Sequence, residues 1–315
     1  MTTQAQMASP PLSAAPADGW TMAPETPRAV RLLRLARRNP IGLVALIIVV
    51  LFIALGMVQW VSHDVFDTAV APYNPETISA SEQLEGPSRD HWFGTNVKGQ
   101  DMFSRILAGA RISFLIGLMA VTLGFIPGAI LGIMSGYFQR WVDYVIQRTG
   151  GAWTAFPVLF LYLALITAFG QGLKIIAFVI IISSVFGGSR VLRAVALVTK
   201  HNDYIEASRA VGATEMRILF RHMIPNVMPI IIVGISSVFA TSVLVESTLS
   251  FLGIGVQPGT PSWGIDLNAG RDFAKYYPHL VVFPGIAISL VVLGFNLLGD
   301  TLRDILDPRL RGSLR

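Results

Sequence analysis

Cysteine is absent from this 315-residue sequence, and lysine is scarce, with only four residues. Without cysteine the chain can form neither a disulfide bond nor a thiolate metal site. No lysine stands in a Gly-Lys-Ser/Thr context, so the sequence contains no P-loop for nucleotide phosphates. The HExxH and GxSxG patterns are missing, and the five histidines lack the spacing of metal ligands. We therefore expect a chain that catalyses nothing itself and holds no metal or cofactor.

Charged residues are also few, at 14% of the sequence, where a soluble domain has about 25%. Hydrophobic residues make up 53%, and the mean hydropathy is +0.59. A helix needs about 20 apolar residues to cross the ~30 Å hydrocarbon core of a bilayer. Six runs reach this length: 41–60, 112–134, 152–169, 175–196, 227–250 and 280–298. The sequence predicts an all-α polytopic membrane protein with six transmembrane helices.

The distribution of basic residues predicts the orientation of these spans. One face of the six-span arrangement carries 17 of the 24 basic residues, and this richer face is expected to be cytoplasmic. Both termini then lie in the cytoplasm, and the net charge of +5 favours contact with anionic membrane lipid over nucleic acid. The predicted parts are an arm (1–39, disordered and then basic), a six-span domain (40–300) and a tail (301–315). Within the domain, loops 61–111 and 251–279 are expected outside and loop 197–226 inside.

A stripe of glycines marks the second run at every fourth position: Gly124, Gly128, Gly132 and Gly136. Small residues on one helix face allow another helix to approach closely in lipid. Two interpretations stay open: packing within the chain, or contact with a second membrane subunit.

The two predicted outer loops differ in pattern. The sequence GQDMFSRILAGAR predicts a short helix on the outer surface, with Asp101 as its N-cap. The loop 251–279 has the glycine and proline density of an ordered, non-helical connection.

Glu246 is an ionisable residue within the fifth run, accompanied by Ser242 and Ser247. Such residues are costly in a membrane and usually face the protein interior or water. Two roles remain open for this group: a structural hydrogen bond, or a place on a conduction path.

A polar segment, 203–225, separates the fourth and fifth runs, and its pattern predicts two short helices. Asp203 is placed to cap the first helix, with Glu206 three residues later as in a capping box. Gly212 ends this helix because glycine readily adopts positive φ. One face of the helix comprises Tyr204, Ala207, Ser208 and Val211.

The second short helix is predicted to begin at Thr214, its N-cap, with Glu215 at its positive end. An apolar face of Met216, Leu219, Phe220 and Met223 would lie opposite Arg217 and Arg221. Pro225 and Pro229 are expected to break the chain before the fifth span. The segment is predicted to be a hairpin suited to docking in a groove on another protein.

This hairpin contains, in order, Glu206, Ala207, Ser208, Gly212, Ile224 and Pro225. The order resembles the EAA loop of ABC importer permeases, with Ser208 in place of the second alanine and His222 where isoleucine is common. Further segments resemble the dipeptide, oligopeptide and nickel permease family, most closely its C-type subunit: HWFGTNVKGQDMFSRILAGARISF, ESTLSFLGIGVQPGTPSWG and FNLLGDTLRDILDPRLR. The resemblance runs from about residue 40 to 311. Asn96 and Gln100 depart from it, since the family usually has Asp and Arg there.

The resemblance implies a type I ABC importer permease fold in a bacterial inner membrane. The implied partners are a second homologous permease, two cytoplasmic ATPases that bind ATP and magnesium, and an extracytoplasmic binding protein. The residues implied in ATPase coupling are Asp203, Glu206, Ala207, Ser208, Gly212, Arg217, Arg221 and Pro225. The implied solute is a dipeptide or oligopeptide, with nickel, glutathione or another small solute as alternatives.

Two rival functions come from other classes. A proton-driven secondary transporter would need an ionisable relay at mid-membrane, often with internal repeats, and neither is evident. A membrane enzyme would need a nucleophile and a base at facing positions, which the sequence does not offer.

Overall fold

The computed structural model describes residues 39–306 except 67 and 69. The predictions for the arm (1–38) and for most of the tail (307–315) lie outside the described residues. The α-helices, in chain order, are α1 (Pro40–Phe66), α2 (Met102–Met119), α3 (Ile126–Phe138), α4 (Arg140–Thr154), α5 (Val158–Phe169), α6 (Leu173–Thr199), α7 (Asp203–Ala210), α8 (Glu215–Ile218), α9 (Ile224–Phe251), α10 (Trp263–Gly270) and α11 (His279–Leu306). Two π-helical turns, π1 (Ala120–Phe125) and π2 (Leu219–Met223), join α2 to α3 and α8 to α9.

Five continuous helical segments within the described residues are long and apolar enough to cross a membrane: Pro40–Phe66, Met102–Phe138, Leu173–Thr199, Glu215–Phe251 and His279–Leu306. A sixth span results if α4 and α5 are counted as one broken span. We call the end of the bundle that carries residues 200–223 the hairpin end, and the end that carries 70–101 and 252–278 the loop end. The predicted all-α, polytopic fold is confirmed.

The third span differs from the continuous run predicted for 152–169. The chain bends by 79° between α4 and α5, and α5 has only 12 residues. Pro157 explains the break, because its ring removes a backbone donor and disfavours helical geometry at the preceding residue. A helix of this length extends about 18 Å, less than the hydrocarbon core requires.

The second and fifth spans are longer than predicted. Residues 102–111 do not form a separate surface helix, because α2 continues through π1 and α3 in one segment of 37 residues. Pro225 and Pro229 do not break the chain either, since Pro225 lies in the first turn of α9 directly after π2 and Pro229 lies inside α9. In a π-helical turn each amide bonds to the carbonyl five residues earlier in the chain. The helix can therefore continue through the position where proline lacks an amide donor. Asp101 caps α2 as predicted, accepting from the Ser104 amide at 2.8 Å.

The glycine stripe lies against α6 of the same chain. A Cβ atom at Gly124 would come within 2.7 Å of Ser184 Cβ, and one at Gly136 within 2.7 Å of Ala196 Cβ. At Gly128 and Gly132 the added atom would overlap the backbone carbonyls of Val185 and Ser189. The two backbones are therefore in close contact along the stripe, which favours packing within the chain over a second subunit.

At the loop end, buried Arg105 of α2 contacts both long connections. Arg105 Nε donates to Asp266 Oδ1 at 2.6 Å, and Arg105 Nη1 donates to the Pro75 carbonyl at 3.0 Å. Asp266 lies on α10, a helix inside the loop 251–279 that was predicted to be non-helical. The prediction failed because the glycines and prolines near the ends of this loop were interpreted as a sign that the whole loop is non-helical.

Asn96 and Gln100, the two departures from the family pattern, close a buried turn at the loop end. Asn96 Nδ2 donates to Gln100 Oε1 at 2.9 Å, and the Gln100 amide donates to Asn96 Oδ1 at 3.0 Å. Gln100 Nε2 also donates to the Glu76 carbonyl at 3.1 Å. The pair satisfies its own polar groups, as buried amides require.

Replacing Gly128 by leucine should push α3 away from α6, because the new side chain would overlap the Val185 backbone. Overpacking of this kind costs about 1–3 kcal/mol. We expect Gly128→Leu to lower the melting temperature and the yield of monodisperse protein in detergent. Gly285→Leu is the control, since a Cβ there meets no atom within 4 Å. Equal stability of the two variants would contradict the close α3–α6 contact.

Candidate functional site

The hairpin at residues 203–223 turns at Gly212, which has a φ of +82°. The Gly212 amide donates to the Arg209 carbonyl at 3.0 Å, and the Ala213 amide donates to the Ser208 carbonyl at 3.1 Å. A Cβ at Gly212 would meet no atom within 4 Å, so the backbone conformation and not space calls for glycine. Thr214 caps α8 by accepting from the Arg217 amide at 3.4 Å.

The start of α7 differs from the prediction. Asn202 occupies the N-cap position and Asp203 is the first helical residue, so Asp203 does not cap the helix. The Asn202 carbonyl accepts from the amides of Ile205 and Glu206 at 2.9 and 3.3 Å. Asp203 and Glu206 lie in the first turn, where their negative charge suits the helix dipole.

One side of the hairpin is anchored in the bundle. Its buried side chains are Ile205, Ile218, Leu219 and Met223, which pack with Ile133 of α3 and with Leu192 and Ala196 of α6. The predicted apolar face of the second helix is therefore only half correct, because Met216 and Phe220 are exposed. The π2 turn has more residues per turn than an α-helix, and it rotates the side chains away from the spacing assumed for a regular helix.

The other side is an exposed surface that we call the docking face, made by Tyr204, Val211, Met216, Arg217, Phe220 and Arg221. Val211 is 86% exposed at its tip. An open pocket of about 400 Å³ adjoins it, lined by Ser208, Val211, Gly212, Ala213, Arg217, Arg221 and His222. Exposed apolar side chains grouped among basic ones are typical of a protein interface. Glu206 is exposed on α7, and Ala207 lies beside it.

Glu246 forms a second polar cluster, at the loop end of α9. It is fully buried and accepts from the hydroxyls of Ser250 and Ser262, both at 2.9 Å. Ser247 Oγ lies 3.4 Å from the same carboxylate. Because Ser262 belongs to the loop before α10, the cluster fastens that loop to α9, which favours the structural interpretation.

Ser242 lies elsewhere on α9 and donates to the Val238 carbonyl at 2.6 Å. It lines an open cavity of about 530 Å³, halfway along the bundle between α5, α6 and α9. Other hydroxyls on this wall come from Ser183, Ser184, Ser237 and Thr241. The described part of the chain groups no three His, Asp or Glu side chains as metal ligands.

Comparison with known proteins identifies the family. The profile of the binding-protein-dependent transport system inner membrane component matches residues 128–312. This chain belongs to that family. The permease is 39% identical to the glutathione transport system permease protein GsiD of Pectobacterium atrosepticum, over 87% of the chain and 89% of the relative. It is 38% identical to the dipeptide transport system permease protein DppC of Alkalihalophilus pseudofirmus, over 97% of each.

The family membership confirms the resemblance noted in the sequence. The permease is a multi-pass inner-membrane subunit of an ABC importer, with the type I permease fold, and it works within a complex of several subunits.

The sequence pattern missed the anchoring residues of the permease hairpin. Ile205 and Ile218 were not singled out, although both are fully buried. The pattern placed Glu215 only at the end of a helix and gave no role to Tyr137. The Tyr137 hydroxyl donates a hydrogen bond to the Glu215 carboxylate, although 78 positions separate the two residues in the sequence. Periodicity within one helix carries no signal for such distant pairs.

Replacing Glu246 separates its two possible roles in the permease. Glu246→Gln keeps an acceptor oxygen for Ser250 and Ser262 and should fold and transport almost normally. Glu246→Ala leaves these hydroxyls without their acceptor, at about 1–3 kcal/mol for each buried group, and should lower the melting temperature in detergent. Thr248→Ala is the control, because Thr248 is exposed on α9 and its hydroxyl bonds only within its own helix. A Gln variant that folds normally but abolishes solute uptake would place Glu246 on the conduction path instead.

Proposed function

We propose that the permease forms half of a translocation pathway for short peptides and transmits the energy of ATP hydrolysis to it through the hairpin. The hairpin end is cytoplasmic and meets an ATPase subunit. The loop end faces the extracytoplasmic binding protein. A second, homologous permease completes the pathway.

The docking face carries this proposal. Val211, Met216 and Phe220 expose apolar surface at the end of the bundle, although Ile205 and Ile218 already anchor the hairpin. The fold thus gains nothing from the exposed residues, which are suited to a groove on another protein. Arg217 and Arg221 beside them fit acidic groups on the partner, and Glu206 on α7 fits a basic group of the same groove.

ATP hydrolysis is assigned to partner subunits, because the sequence holds no P-loop. When the ATPases close on ATP, they would move the hairpin as a lever and reorient the spans by rigid-body motion. In this scheme the permease binds no ATP, magnesium or other cofactor and catalyses no reaction.

The solute class is inferred from the relatives. One is named for dipeptides and others for glutathione, which is itself a tripeptide. All these solutes combine peptide bonds with a charged amino group and carboxylate. The open cavity between α5, α6 and α9 has a few hydroxyls on largely apolar walls, which suits a solute of mixed polarity.

Uptake by cells that lack this gene, with and without a plasmid copy, tests the proposal. We expect the copy to restore ATP-dependent uptake of radiolabelled Ala-Ala or glutathione, and a tagged chain to co-purify with ATPase subunits. Restored uptake of nickel alone would overturn the solute class. Uptake that follows the proton gradient without ATP would identify a secondary transporter and overturn the proposal.

Charge reversal at Glu206 tests the hairpin directly. Glu206 is exposed, so loss of a helix-end charge costs only about 1 kcal/mol or less and should leave the fold intact. We expect Glu206→Lys to reach the membrane at normal levels but to retain less ATPase on purification and to import poorly. Asp272→Lys, an exposed reversal at the loop end, is the control and should keep its ATPase. Normal uptake by Glu206→Lys would contradict docking through this side of α7.

A further inference from the structure

The hairpin is fastened to the bundle by a polar contact as well as by its apolar anchors. Tyr137, at the hairpin end of α3, is 3% exposed and donates its hydroxyl proton to the Glu215 carboxylate at the start of α8. Arg209 of α7 lies beside both, with Nη2 3.4 Å from the Tyr137 hydroxyl and Nε 3.5 Å from Glu215 Oε1. Both short hairpin helices therefore contact one tyrosine.

Lys200 adds a contact from the residue that follows α6. Its Nζ donates to the Tyr137 carbonyl at 2.8 Å and lies 5.7 Å from the centre of the tyrosine ring. We call these four residues, Tyr137, Lys200, Arg209 and Glu215, the Tyr137 joint. The joint brings together the ends of α3 and α6 with both helices of the hairpin.

Chain connectivity gives this contact its importance. The chain passes from α6 into α7 through residues 200–202 and from α8 into α9 through π2, so α6 and α9 are covalently linked to the hairpin. The α3 helix has no such link and meets the hairpin only through packing and the Tyr137 joint. Apolar packing permits sliding, whereas a directional hydrogen bond fixes the relative position of two elements.

Stability alone does not account for the joint. The side chains of Arg209 and Glu215 are 43% and 53% exposed, and ion pairs at this exposure contribute little to folding. The hairpin is already held by buried Ile205 and Ile218. The Tyr137 hydroxyl is thus more important for the orientation of the hairpin than for keeping it folded.

The α3–α6 contact extends the effect of the joint into the membrane. Because the backbones of α3 and α6 are in close contact along the glycine stripe, a displacement at Tyr137 would move both helices together. Farther from the hairpin, Phe125 of π1 and Ser184 and Gly188 of α6 border the open cavity between α5, α6 and α9. A path of close contacts therefore leads from the hairpin to the cavity.

We propose that Tyr137 is a positioning residue for energy coupling, whose hydroxyl, held by Glu215, makes the α3–α6 pair follow the hairpin and keeps the hairpin from pivoting on residues 200–202 when the ATPases close. This inference rests on the proposed function, because it requires ATPase docking on the hairpin. Loss of the hydroxyl would leave the complex assembled and hydrolysing ATP but would reduce the solute imported for each ATP consumed.

The test uses Tyr137→Phe, which keeps the buried ring, and Glu215→Gln, which keeps an acceptor oxygen but removes the charge. Each tagged permease is purified with its co-purifying subunits. ATP hydrolysis is measured in the complex, and uptake of Ala-Ala and of glutathione is measured in cells. Tyr144→Phe is the control, because it makes the same change at an exposed position on α4.

We expect the ratio of uptake to ATP hydrolysis to fall about fivefold in Tyr137→Phe, as loss of one hydrogen bond to a charged group allows. Glu215→Gln should lower the ratio in the same direction. The double variant should be no worse than the more impaired of the two single variants, because both changes act on one contact. Tyr144→Phe should keep the ratio of the unmodified complex.

Three results would overturn the inference: an unchanged ratio in Tyr137→Phe, additive losses in the double variant, or a loss of uptake matched by an equal loss of assembled complex. Failure of the proposed function is a separate outcome. It would show as an unmodified permease that lacks ATP-dependent uptake, whereas full coupling of the variants in an active complex contradicts the Tyr137 joint alone.

Discussion

The contact of π1 and α3 with α6 through four glycines is the interaction on which the functional end of the molecule depends. In lipid, helices gain little from burying apolar side chains against each other, so small residues that bring backbones together supply much of the packing. Here they bring α3 and α6 close enough for Ile133, Leu192 and Ala196 to form one platform. The hairpin places Ile205 and Ile218 on this platform and turns its remaining apolar side chains outwards.

The loop end is stabilised differently, by polar groups buried in pairs. Arg105 with Asp266 and Glu246 with Ser262 each join a span to the loop that contains α10. Buried charges are tolerated only when they are paired or hydrogen-bonded, so these contacts strongly favour a single arrangement of the loop. One end of the permease is thus fixed by long-range polar contacts, and the other presents a short motif to a partner.

Much of the fold could be predicted because its signals are local. Hydropathy alone located the apolar runs, and Gly212 and Thr214 indicated the hairpin turn because positive φ and N-capping involve only a few neighbouring residues. The break at Pro157 was missed, as were the π-helical turns before Pro225 and before Pro127, which lies in the first turn of α3. A hydropathy window sums residues without regard to backbone hydrogen bonds, so it cannot tell whether a proline bends a span or is accommodated in it.

The candidate site was predictable as a motif but not as a mechanism. The order of residues from Glu206 to Pro225 resembles a known loop. However, Asp203 does not cap the first helix, and Met216 and Phe220 are exposed and do not lie on the buried face. Tyr137 could not have been found, because its contact with Glu215 spans 78 positions and depends on how α3 meets the hairpin.

The most direct test of the central claim is a cross-link from the docking face. Because the chain has no cysteine, Val211→Cys introduces a single thiol, at a side chain that is 86% exposed. Tyr276→Cys does the same at the loop end, where the side chain is 74% exposed. With a short thiol-to-amine cross-linker in native membranes, the account predicts an ATPase adduct from Val211→Cys and none from Tyr276→Cys. An assembled complex that gives no ATPase adduct at Val211→Cys, or gives it equally from both positions, would contradict the account.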